Sequence, residues 1–326
     1  MIEILLKEWI ERVKYYIHLI ADYSIKESQV GAVLDDVLNL SGKMLRSKLL
    51  LLCAFLGSNW KNNKEKICKL AAMVELTHLA SLIHDDIVDD SPYRRGKVSI
   101  QGKYGKDAAV FAGDFLIARI FYYGAVENLN EAVSILSKTV EYMCIGEIEQ
   151  DLCRYQEDIS EKKYFENIER KTAALFQAAS YIGAKESDCS EKIIQKLELF
   201  VKNLGLMFQL KDDILDFTSN SKELGKETHK DFQNGIYTFP VIMALKNPKA
   251  REVLLPIMRK NKEEKLSLAE ILQLQNYIIQ FGGIEASYEK IKYLSTINRQ
   301  LIKELGQNSE ITVYLEKMLN DLEVEK

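Results

Sequence analysis

Long apolar runs are absent from this chain of 326 residues. The longest apolar run that does occur, LLLLCAFLG from Leu49, is too short to cross a bilayer. The amino terminus, MIEILLKEWIERVKYY, mixes charged and apolar residues and lacks the basic start and continuous apolar stretch of a secretion signal. We therefore expect a cytoplasmic protein without stable membrane insertion.

Cysteine is also scarce, and the charges nearly balance. The five cysteines are scattered along the chain without a C-x-x-C pair, which argues against a disulfide framework and indicates small buried thiols in a reduced compartment. The formal net charge of −4 is too small to indicate a nucleic-acid partner or a charged membrane surface. A hydrophobic content of 47% is enough for a large core.

Proline and glycine, the residues that interrupt helices, are few. Only 4 prolines and 16 glycines occur, and apolar residues recur at spacings of three and four almost throughout the chain. This pattern predicts a single all-α domain over residues 1–326, built as a large antiparallel bundle of roughly ten or more helices. The clearest predicted helices cover residues 67–87, 108–126, 133–155, 164–182 and 193–217.

The first of these helices ends in SLIHDDIVDDSPYRRGK, where acidic residues are followed at once by two arginines. Asp85 and Asp89 are four residues apart and lie on the same helix face, with Asp86 beside them. Carboxylate oxygens suit hard divalent cations, and Mg²⁺ typically takes one or two carboxylates together with substrate phosphates. A lone D-D-x-x-D, however, is more often a solvated helix end.

A second copy of the motif changes that interpretation. FQLKDDILDF repeats the spacing with Asp212, Asp213 and Asp216, again at the end of a long apolar helix. Lysines follow this copy as arginines follow the first. Two acidic helix ends, each followed by cations, indicate a site for Mg²⁺ ions and a diphosphate.

Other polar residues share a helix face with these aspartates. His78 lies seven residues before Asp85, and Gln209 lies three before Asp212. Taken alone, a helix histidine is as often a hydrogen-bonded core residue as a functional one. A lysine near an apolar stretch usually reaches to solvent. The remaining candidates are cations near helix starts or small-residue stretches, namely Lys43, Arg46, and Lys171 with Thr172.

Together these segments resemble the trans-isoprenyl diphosphate synthases over nearly the whole chain. ELTHLASLIHDDIVDDSPYRRGK resembles the family's first aspartate-rich region and FQLKDDILDF its second. The segments GEIEQD, KTAALF, ELGKETHKDF, GIYTFPVIMAL and GGIEAS follow in the family's order. The chain looks most like medium- and long-chain members of heptaprenyl or octaprenyl type. The resemblance implies an all-α isoprenoid-synthase-type bundle with a central cavity.

The resemblance also implies a role for each candidate. Mg²⁺ would be coordinated by the aspartates Asp85, Asp86, Asp89, Asp212, Asp213 and Asp216. An allylic prenyl diphosphate would contact Arg94, Lys171, Thr172, Gln209 and Lys226. Isopentenyl diphosphate would contact Lys43, Arg46, His78 and Arg95. The most direct catalytic roles would fall to Asp85, Asp89, Arg94, Lys171 and Asp212.

One segment departs from the family's pattern. The usual G-G-K-R-x-R-P appears here as SGKMLRS, so that Met44 replaces the middle arginine and Ser47 replaces the proline. Lys43 and Arg46 are kept. We expect the departure to be tolerated and to weaken the binding of isopentenyl diphosphate.

The expected reaction is a head-to-tail condensation of an allylic diphosphate with isopentenyl diphosphate, which gives an all-trans product. Ala80 and Ser81, before the first aspartates, are small, whereas a phenylalanine or tyrosine there would block the path of a growing chain. We therefore expect a medium- or long-chain product. The alternative is that these residues only allow close helix packing.

Three other interpretations stay open. A short-chain farnesyl or geranylgeranyl diphosphate synthase shares the same motifs, and a terpene cyclase usually lacks the second D-D-x-x-D. A non-catalytic subunit that binds diphosphates or lipid is disfavoured because both motifs are intact. For the assembly we expect a homodimer, or the catalytic subunit of a heterodimer.

Overall fold

Helices account for nearly all of the regular structure in the described part of the chain. The computed structural model describes residues 2–22, 28–39, 42–94, 96–218, 230–306 and 309–323. Its helices are α1 (Ile2–Ile20), α2 (Gln29–Leu38), α3 (Leu45–Ala54), α4 (Lys64–Val88), α5 (Ile100–Tyr104), α6 (Lys106–Val126), α7 (Asn130–Leu152), α8 (Glu161–Ile168), α9 (Ala174–Glu186), α10 (Glu191–Thr218), α11 (Lys230–Gln233), α12 (Phe239–Ala244), α13 (Pro248–Glu263), α14 (Leu268–Gln280), α15 (Gly283–Leu305) and α16 (Glu310–Asn320). Two short strands, β1 (Tyr93–Arg94) and β2 (Lys97–Val98), pair antiparallel. The all-α prediction is confirmed.

The chain divides into two compact units. Unit 1 comprises Met1–Val140, Leu175–Glu198 and Ser309–Ile311. Unit 2 comprises Glu141–Ala174, Leu199–Asn308 and Thr312–Lys326. The sequence-based expectation of one domain over residues 1–326 stays a prediction.

Unit 1 is built around α4, whose central turns are buried on all sides rather than on one face. Such a helix has to be covered all round, and α1, α3 and α6 pack against it. On α1, the ring of Trp9 lies 5.0 Å from that of Phe55 and 5.7 Å from that of Trp60, measured between centroids. The buried helix therefore provides a rigid support for the aspartates at its carboxyl end.

Unit 2 is held together by packing among its helices and by a buried amide pair. Helix α12 packs against α8, α14 and α15, and the ring of Phe239 lies 5.4 Å from that of Tyr164. Asn203 of α10 donates to Asn298 Oδ1 of α15 at 2.9 Å. Both asparagines are buried, so this bond satisfies groups that would otherwise destabilise the core.

Two details differ from the sequence-based expectation. Residues 91–107, expected as a break, contain both strands and helix α5. The helix expected over residues 164–182 is interrupted between α8 and α9 by a π-helical turn, Glu169–Ala173. Two-residue strands are too short to show alternation, and a π turn leaves composition unchanged, so neither has a periodic signal. The other long predicted helices are confirmed with slightly different ends.

In the described part of the chain, α4 and α6 are long and apolar enough to cross a membrane, judged by length and composition alone. The most apolar window of α4 is 72% buried within the protein, whereas that of α6 is 39% buried. The burial of α4 is that of a core helix. Helix α6 leaves large apolar side chains exposed, among them Phe111 and Tyr122.

Candidate active site

The first aspartate motif lies at the carboxyl end of α4. Asp85 and Asp86 belong to the last turn, and the backbone N–H of Asp89 donates to the carbonyl of Asp85 at 2.9 Å. Asp89 is exposed and Asp85 is half-buried, whereas Asp86 is only 3% exposed. The two aspartates that are four residues apart are therefore the more solvent-exposed ones, and the middle one faces the protein.

The hairpin of β1 and β2 folds Arg94 back onto Asp86. Arg94 pairs with Lys97 across the hairpin, and Gly96 supplies the positive φ of 75° that the turn requires. Arg94 Nε donates to Asp86 Oδ1 at 2.7 Å, and both side chains are largely buried. Removing one partner would leave the other charge buried and uncompensated. Arg95, the second predicted arginine, lies outside the described residues.

At the start of α3, Arg46 contacts His78, and both residues were predicted to bind isopentenyl diphosphate. Arg46 Nη1 donates to His78 Nε2 at 2.9 Å, and its guanidinium carbon lies 4.5 Å from the ring centroid of Phe176. Met44, which precedes the helix, is 4% exposed and has a φ of 51°. The structure thus brings Arg46 and His78 together, while Lys43 is exposed.

The second aspartate motif, at the end of α10, has the same division into one buried and two more accessible carboxylates. Asp212 is exposed and Asp216 half-buried, while Asp213 is 2% exposed. Tyr164 of α8 donates its hydroxyl hydrogen to Asp213 Oδ2, and Gln209 Nε2 donates to Asp213 Oδ1 at 3.0 Å. Asp213 therefore ties the end of α10 to α8.

Burial shifts the protonation of this network. It raises the pKa of Asp213 to about 7, although hydrogen bonds from Tyr164 and Gln209 favour the charged form. Burial and the charge of Asp213 also raise the pKa of Tyr164 well above its ordinary value, so the phenol remains a donor. Thr172 Oγ1 donates to Gln209 Oε1 at 3.2 Å. Three predicted site residues, Thr172, Gln209 and Asp213, thus form one chain of hydrogen bonds.

Lys171 stands on the π-helical turn, where α7 approaches closely. A Cβ added at Gly146 of α7 would lie 3.0 Å from the backbone nitrogen of Lys171, so a larger residue would displace the turn. Asn167 donates to the carbonyl of Gly146 at 2.6 Å. Lys171 Nζ lies 3.0 Å from Glu147 Oε1. A carboxylate of the GEIEQD segment therefore holds the predicted diphosphate-binding lysine.

The two residues predicted to control product length lie one turn before Asp85 on α4. Ala80 is fully buried, and Ser81 is half-buried with its hydroxyl donating to the carbonyl of His78 at 2.8 Å. The hydroxyl of Ser81 is thus satisfied within its own helix. The role of both residues in product length stays a prediction. Lys226, predicted to bind the allylic diphosphate, lies outside the described residues.

Residues 27–275, which contain both aspartate motifs, match the family model described as Polyprenyl synthetase. The chain belongs to the polyprenyl synthetase family. Heptaprenyl diphosphate synthase component 2 of Bacillus subtilis is 38% identical over 230 residues, which are 71% of this chain and 65% of that protein. Solanesyl diphosphate synthase 2 of Arabidopsis thaliana is 34% identical over 263 residues, which are 79% of this chain and 61% of that protein.

Solved structures of polyprenyl synthetase relatives have the same fold. Polyprenyl synthase from Caulobacter crescentus, complexed with calcium and isoprenyl diphosphate, is 29% identical with a TM-score of 0.86, covering 98% of this chain and 95% of that one. Heptaprenyl diphosphate synthase from Staphylococcus aureus is 26% identical with a TM-score of 0.85, covering 97% of each chain. The predicted family and fold are confirmed, and the prenyltransferase class goes with the family.

The structure adds three residues that the motifs did not single out. Tyr164 holds the second aspartate motif, Glu147 pairs with Lys171, and Glu75, a buried residue of α4, contacts Ser47. Glu147 belongs to the GEIEQD segment and was within reach of sequence analysis. Tyr164 and Glu75 give no local signal, because their partners are 49 and 28 residues away in the chain.

The donor set at each helix end fits a magnesium ion that is shared with a substrate. Among the described residues, no group of three or more histidine, cysteine, aspartate or glutamate side chains is arranged to hold a metal ion. Each motif nevertheless has two exposed or half-buried aspartates on one helix face, Asp85 with Asp89 and Asp212 with Asp216. Mg²⁺ commonly binds one or two carboxylates and completes its shell with water and phosphate oxygens. The residues therefore fit the ion.

Proposed function

We propose that this polyprenyl synthetase is an all-trans polyprenyl diphosphate synthase. It condenses an allylic prenyl diphosphate with isopentenyl diphosphate and makes a medium- or long-chain product. The observation that carries the proposal is the repeated aspartate arrangement. In each motif the middle aspartate, Asp86 or Asp213, is buried and hydrogen-bonded, while its two neighbours are exposed or half-buried. This arrangement suits ions that bridge protein and diphosphate.

Two of the predicted site residues are cations that suit a diphosphate. Arg94 offers a planar guanidinium that matches phosphate oxygens, and Lys171 offers a compact positive charge. Cleavage of the C–O bond releases diphosphate from the allylic substrate and leaves an allylic cation, which the π bond of isopentenyl diphosphate attacks. Loss of a proton to the released diphosphate then restores a double bond. Arg46, with Lys43 and His78, is proposed to hold isopentenyl diphosphate during this step.

Magnesium is the ion that we propose for the accessible aspartates. When bound, Mg²⁺ supplies positive charge that stabilises the leaving diphosphate. Support comes from the oxygen donors and from the Caulobacter relative, whose complex contains calcium, another hard cation, with isoprenyl diphosphate. The family resemblance implies that Asp86 and Asp213 are also ligands, but Arg94 and Tyr164 hydrogen-bond to them. Their proposed task is to orient the neighbouring carboxylates.

Product length is proposed to be about six to ten isoprene units, because a growing chain needs an open path between helices. The small side chains of Ala80 and Ser81 support such a path. The relatives named heptaprenyl and solanesyl diphosphate synthases support the same range.

A product assay on the purified chain tests the proposal. The chain is incubated with farnesyl diphosphate, radiolabelled isopentenyl diphosphate and Mg²⁺, and the products are separated by reversed-phase chromatography against standards. A series that ends at a medium- or long-chain all-trans product supports the proposal. Products that stop after one condensation would identify a short-chain synthase instead, and cyclic hydrocarbons would identify a cyclase.

We also propose that the chain forms a homodimer through α6. Phe111, Tyr122 and Val126 of this helix are 71%, 61% and 60% exposed, although a monomer rarely leaves so many large apolar side chains on one helix. An antiparallel second copy, related by a two-fold axis through the middle of α6, places Phe111 opposite Tyr122 and Asp114 opposite Arg119. The pairs join apolar rings and opposite charges.

The same features support a cytoplasmic location. Helix α4 is buried in the core of unit 1. The exposed face of α6 includes Asp114, whose charge is unfavourable in a lipid interior. We therefore propose a protein without stable membrane insertion. Recovery of the chain in the soluble fraction of cells, without detergent, tests this.

A heteromeric enzyme is the second candidate. The Bacillus subtilis relative is named as component 2 of its synthase, which favours an unlike partner for this chain as well. In that case the purified chain would have poor activity, and co-expression with its partner would restore long products. Full activity of the isolated chain would favour the homodimer.

A further inference from the structure

A buried carboxylate of α4 faces the start of α3. Glu75 is 6% exposed and Ser47 is fully buried. Ser47 Oγ lies 2.9 Å from Glu75 Oε2 and 3.0 Å from the carbonyl oxygen of Ala71, so two acceptors on α4 share its hydroxyl hydrogen. A buried carboxylate destabilises the fold unless it is hydrogen-bonded. The hydrogen bond from Ser47 therefore stabilises the buried side chain of Glu75.

This contact is one of two neighbouring links between the same helices. Arg46 donates to His78 at 2.9 Å, and Ser47, the next residue of α3, contacts Glu75, three residues earlier on α4. The residue numbers rise along one helix as they fall along the other, so the helices run antiparallel here. We call these two links, Arg46 with His78 and Ser47 with Glu75, the α3–α4 clamp.

The α3–α4 clamp relates the start of α3 to the first aspartate motif. Glu75 and Asp85 are ten residues apart on one continuous helix, a rise of about 15 Å. Since α4 is packed on all sides, a side chain anchored on Glu75 keeps a set distance from Asp85. We propose that Ser47 and Glu75 are positioning residues that hold Arg46 where it binds isopentenyl diphosphate. The inference rests on the proposed function of the site.

The α3–α4 clamp gives a physical meaning to the unusual residue at position 47. A proline, which the family's pattern has there, carries no hydroxyl and makes no such contact. Just before the helix, Met44 adopts a left-handed φ of 51°, a conformation that side chains other than glycine rarely take. The bond to Glu75 thus restrains the first turn of α3 next to a strained residue.

Calorimetric binding of isopentenyl diphosphate to the whole protein, followed by steady-state kinetics, tests the inference. Ser47→Ala removes the hydroxyl, and we expect the Kd and KM for isopentenyl diphosphate to rise about five- to tenfold, which lies within the range for loss of one typical hydrogen bond. The kcat and the KM for the allylic diphosphate should change less than twofold. Glu75→Gln keeps a carbonyl acceptor for Ser47 and should stay near wild type, whereas Glu75→Leu should resemble Ser47→Ala.

Thr77→Val is the matched control. Thr77 is a buried hydroxyl of the same helix that donates to the carbonyl of Met73 within α4, at 2.9 Å. The Thr77→Val substitution should lower thermal stability without changing the Kd for isopentenyl diphosphate. This control separates a positioning role from general destabilisation. If Glu75→Leu does not fold, Ser47→Ala, which removes a single oxygen atom, answers the question alone.

Two results would overturn the inference. One is a Kd for isopentenyl diphosphate in Ser47→Ala within twofold of wild type. The other is an equal loss for both substrates, which indicates disorder of the whole site. A wild-type chain that binds isopentenyl diphosphate and elongates farnesyl diphosphate keeps the proposed function even when the positioning role fails. A wild-type chain that binds no isopentenyl diphosphate refutes both.

Discussion

Asp85 and Asp90 lie at the same end of α4 in different surroundings, which makes them a matched pair for mutation. Asp85 is on the face proposed to hold Mg²⁺, so Asp85→Asn removes a ligand charge while keeping the side-chain shape. We expect kcat/KM to fall by about three orders of magnitude or more, because the leaving diphosphate loses electrostatic stabilisation. The product assay measures the loss, and circular dichroism checks that the helices are intact.

Asp90→Asn is the control for that change. Asp90 pairs at the surface with Lys106 at 3.0 Å and has a φ of 48°, a backbone conformation that asparagine also tolerates. Its rate should stay within about twofold of wild type, since exposed pairs contribute little. Similar rates for Asp85→Asn and wild type would remove Asp85 from the proposed metal site.

Ser81→Phe tests the proposed path of the product. A phenyl ring one turn before Asp85 would fill space that a growing prenyl chain needs, so we expect shorter products with the first condensation retained. Chromatography of products from wild type and mutant, at equal conversion, measures the shift. An unchanged product length in an active mutant would show that Ser81 does not border the path.

At the residue scale, the shared helix face of the predicted site aspartates could be read from the sequence, whereas their different environments could not. Helix periodicity places Asp85 and Asp89 on one face from sequence alone. The burial of Asp86 depends on Arg94, which returns through a hairpin whose strands are two residues long. In the same way Asp213 depends on Tyr164, 49 residues earlier. Such long-range partners leave no local pattern.

At the element scale, the first turn of α14 shows how one carboxylate supports a helix. Ser267 and Glu270 form a capping box, in which the backbone N–H of Ser267 donates to Glu270 Oε2 at 2.9 Å. Lys260 Nζ lies 2.6 Å from Glu270 Oε1. Ser267→Ala removes one cap acceptor and should lower the free energy of unfolding by about 1 kcal/mol at neutral pH, measured by denaturant titration.

The capping box also predicts a pH dependence. The bonds from Lys260 first, and then from Ser267, lower the pKa of Glu270 to about 2. Because the folded-state pKa lies below the ordinary value of 4.5, the stabilisation is present above pH 4.5 and is lost as pH falls towards 2. Glu270→Gln should therefore melt below wild type at pH 6, and the difference should shrink at pH 2.5. Glu263→Gln, an exposed change in α13, serves as the control, and a constant difference across this range would contradict the assignment.

Long helices were predictable because their signal is local, whereas their interruptions were not. Helices α4 and α10 follow from apolar spacing over 25 and 28 residues. The π-helical turn that carries Lys171 reflects packing instead, since α7 approaches its backbone at Gly146. A placement of this kind depends on residues distant in the chain, so composition and spacing do not reveal it.

At the scale of the whole molecule, the exposed apolar side chains of α6, which are Phe111, Tyr122 and Val126, predict how two copies of the chain assemble. Phe111→Glu places a charge in the proposed interface between two copies, so we expect the dimer to dissociate into folded monomers. Sedimentation equilibrium measures the mass. Leu268→Glu is the matched control, because Leu268 of α14 is 72% exposed and Phe111 is 71% exposed, and this change should leave the mass unchanged.

Two charged residues of α6, Asp114 and Arg119, give a second test of the proposed dimer. A two-fold axis through the middle of α6 sets Asp114 of one copy against Arg119 of the other, so Asp114→Lys brings like charges together twice in each dimer. We expect the dimer to weaken and to weaken more at low ionic strength, where screening is least. Lys106→Glu changes a charge at the beginning of the same helix and should have no such effect. If Asp114→Lys and Phe111→Glu both sediment as wild type does, the chain assembles through another surface or not at all.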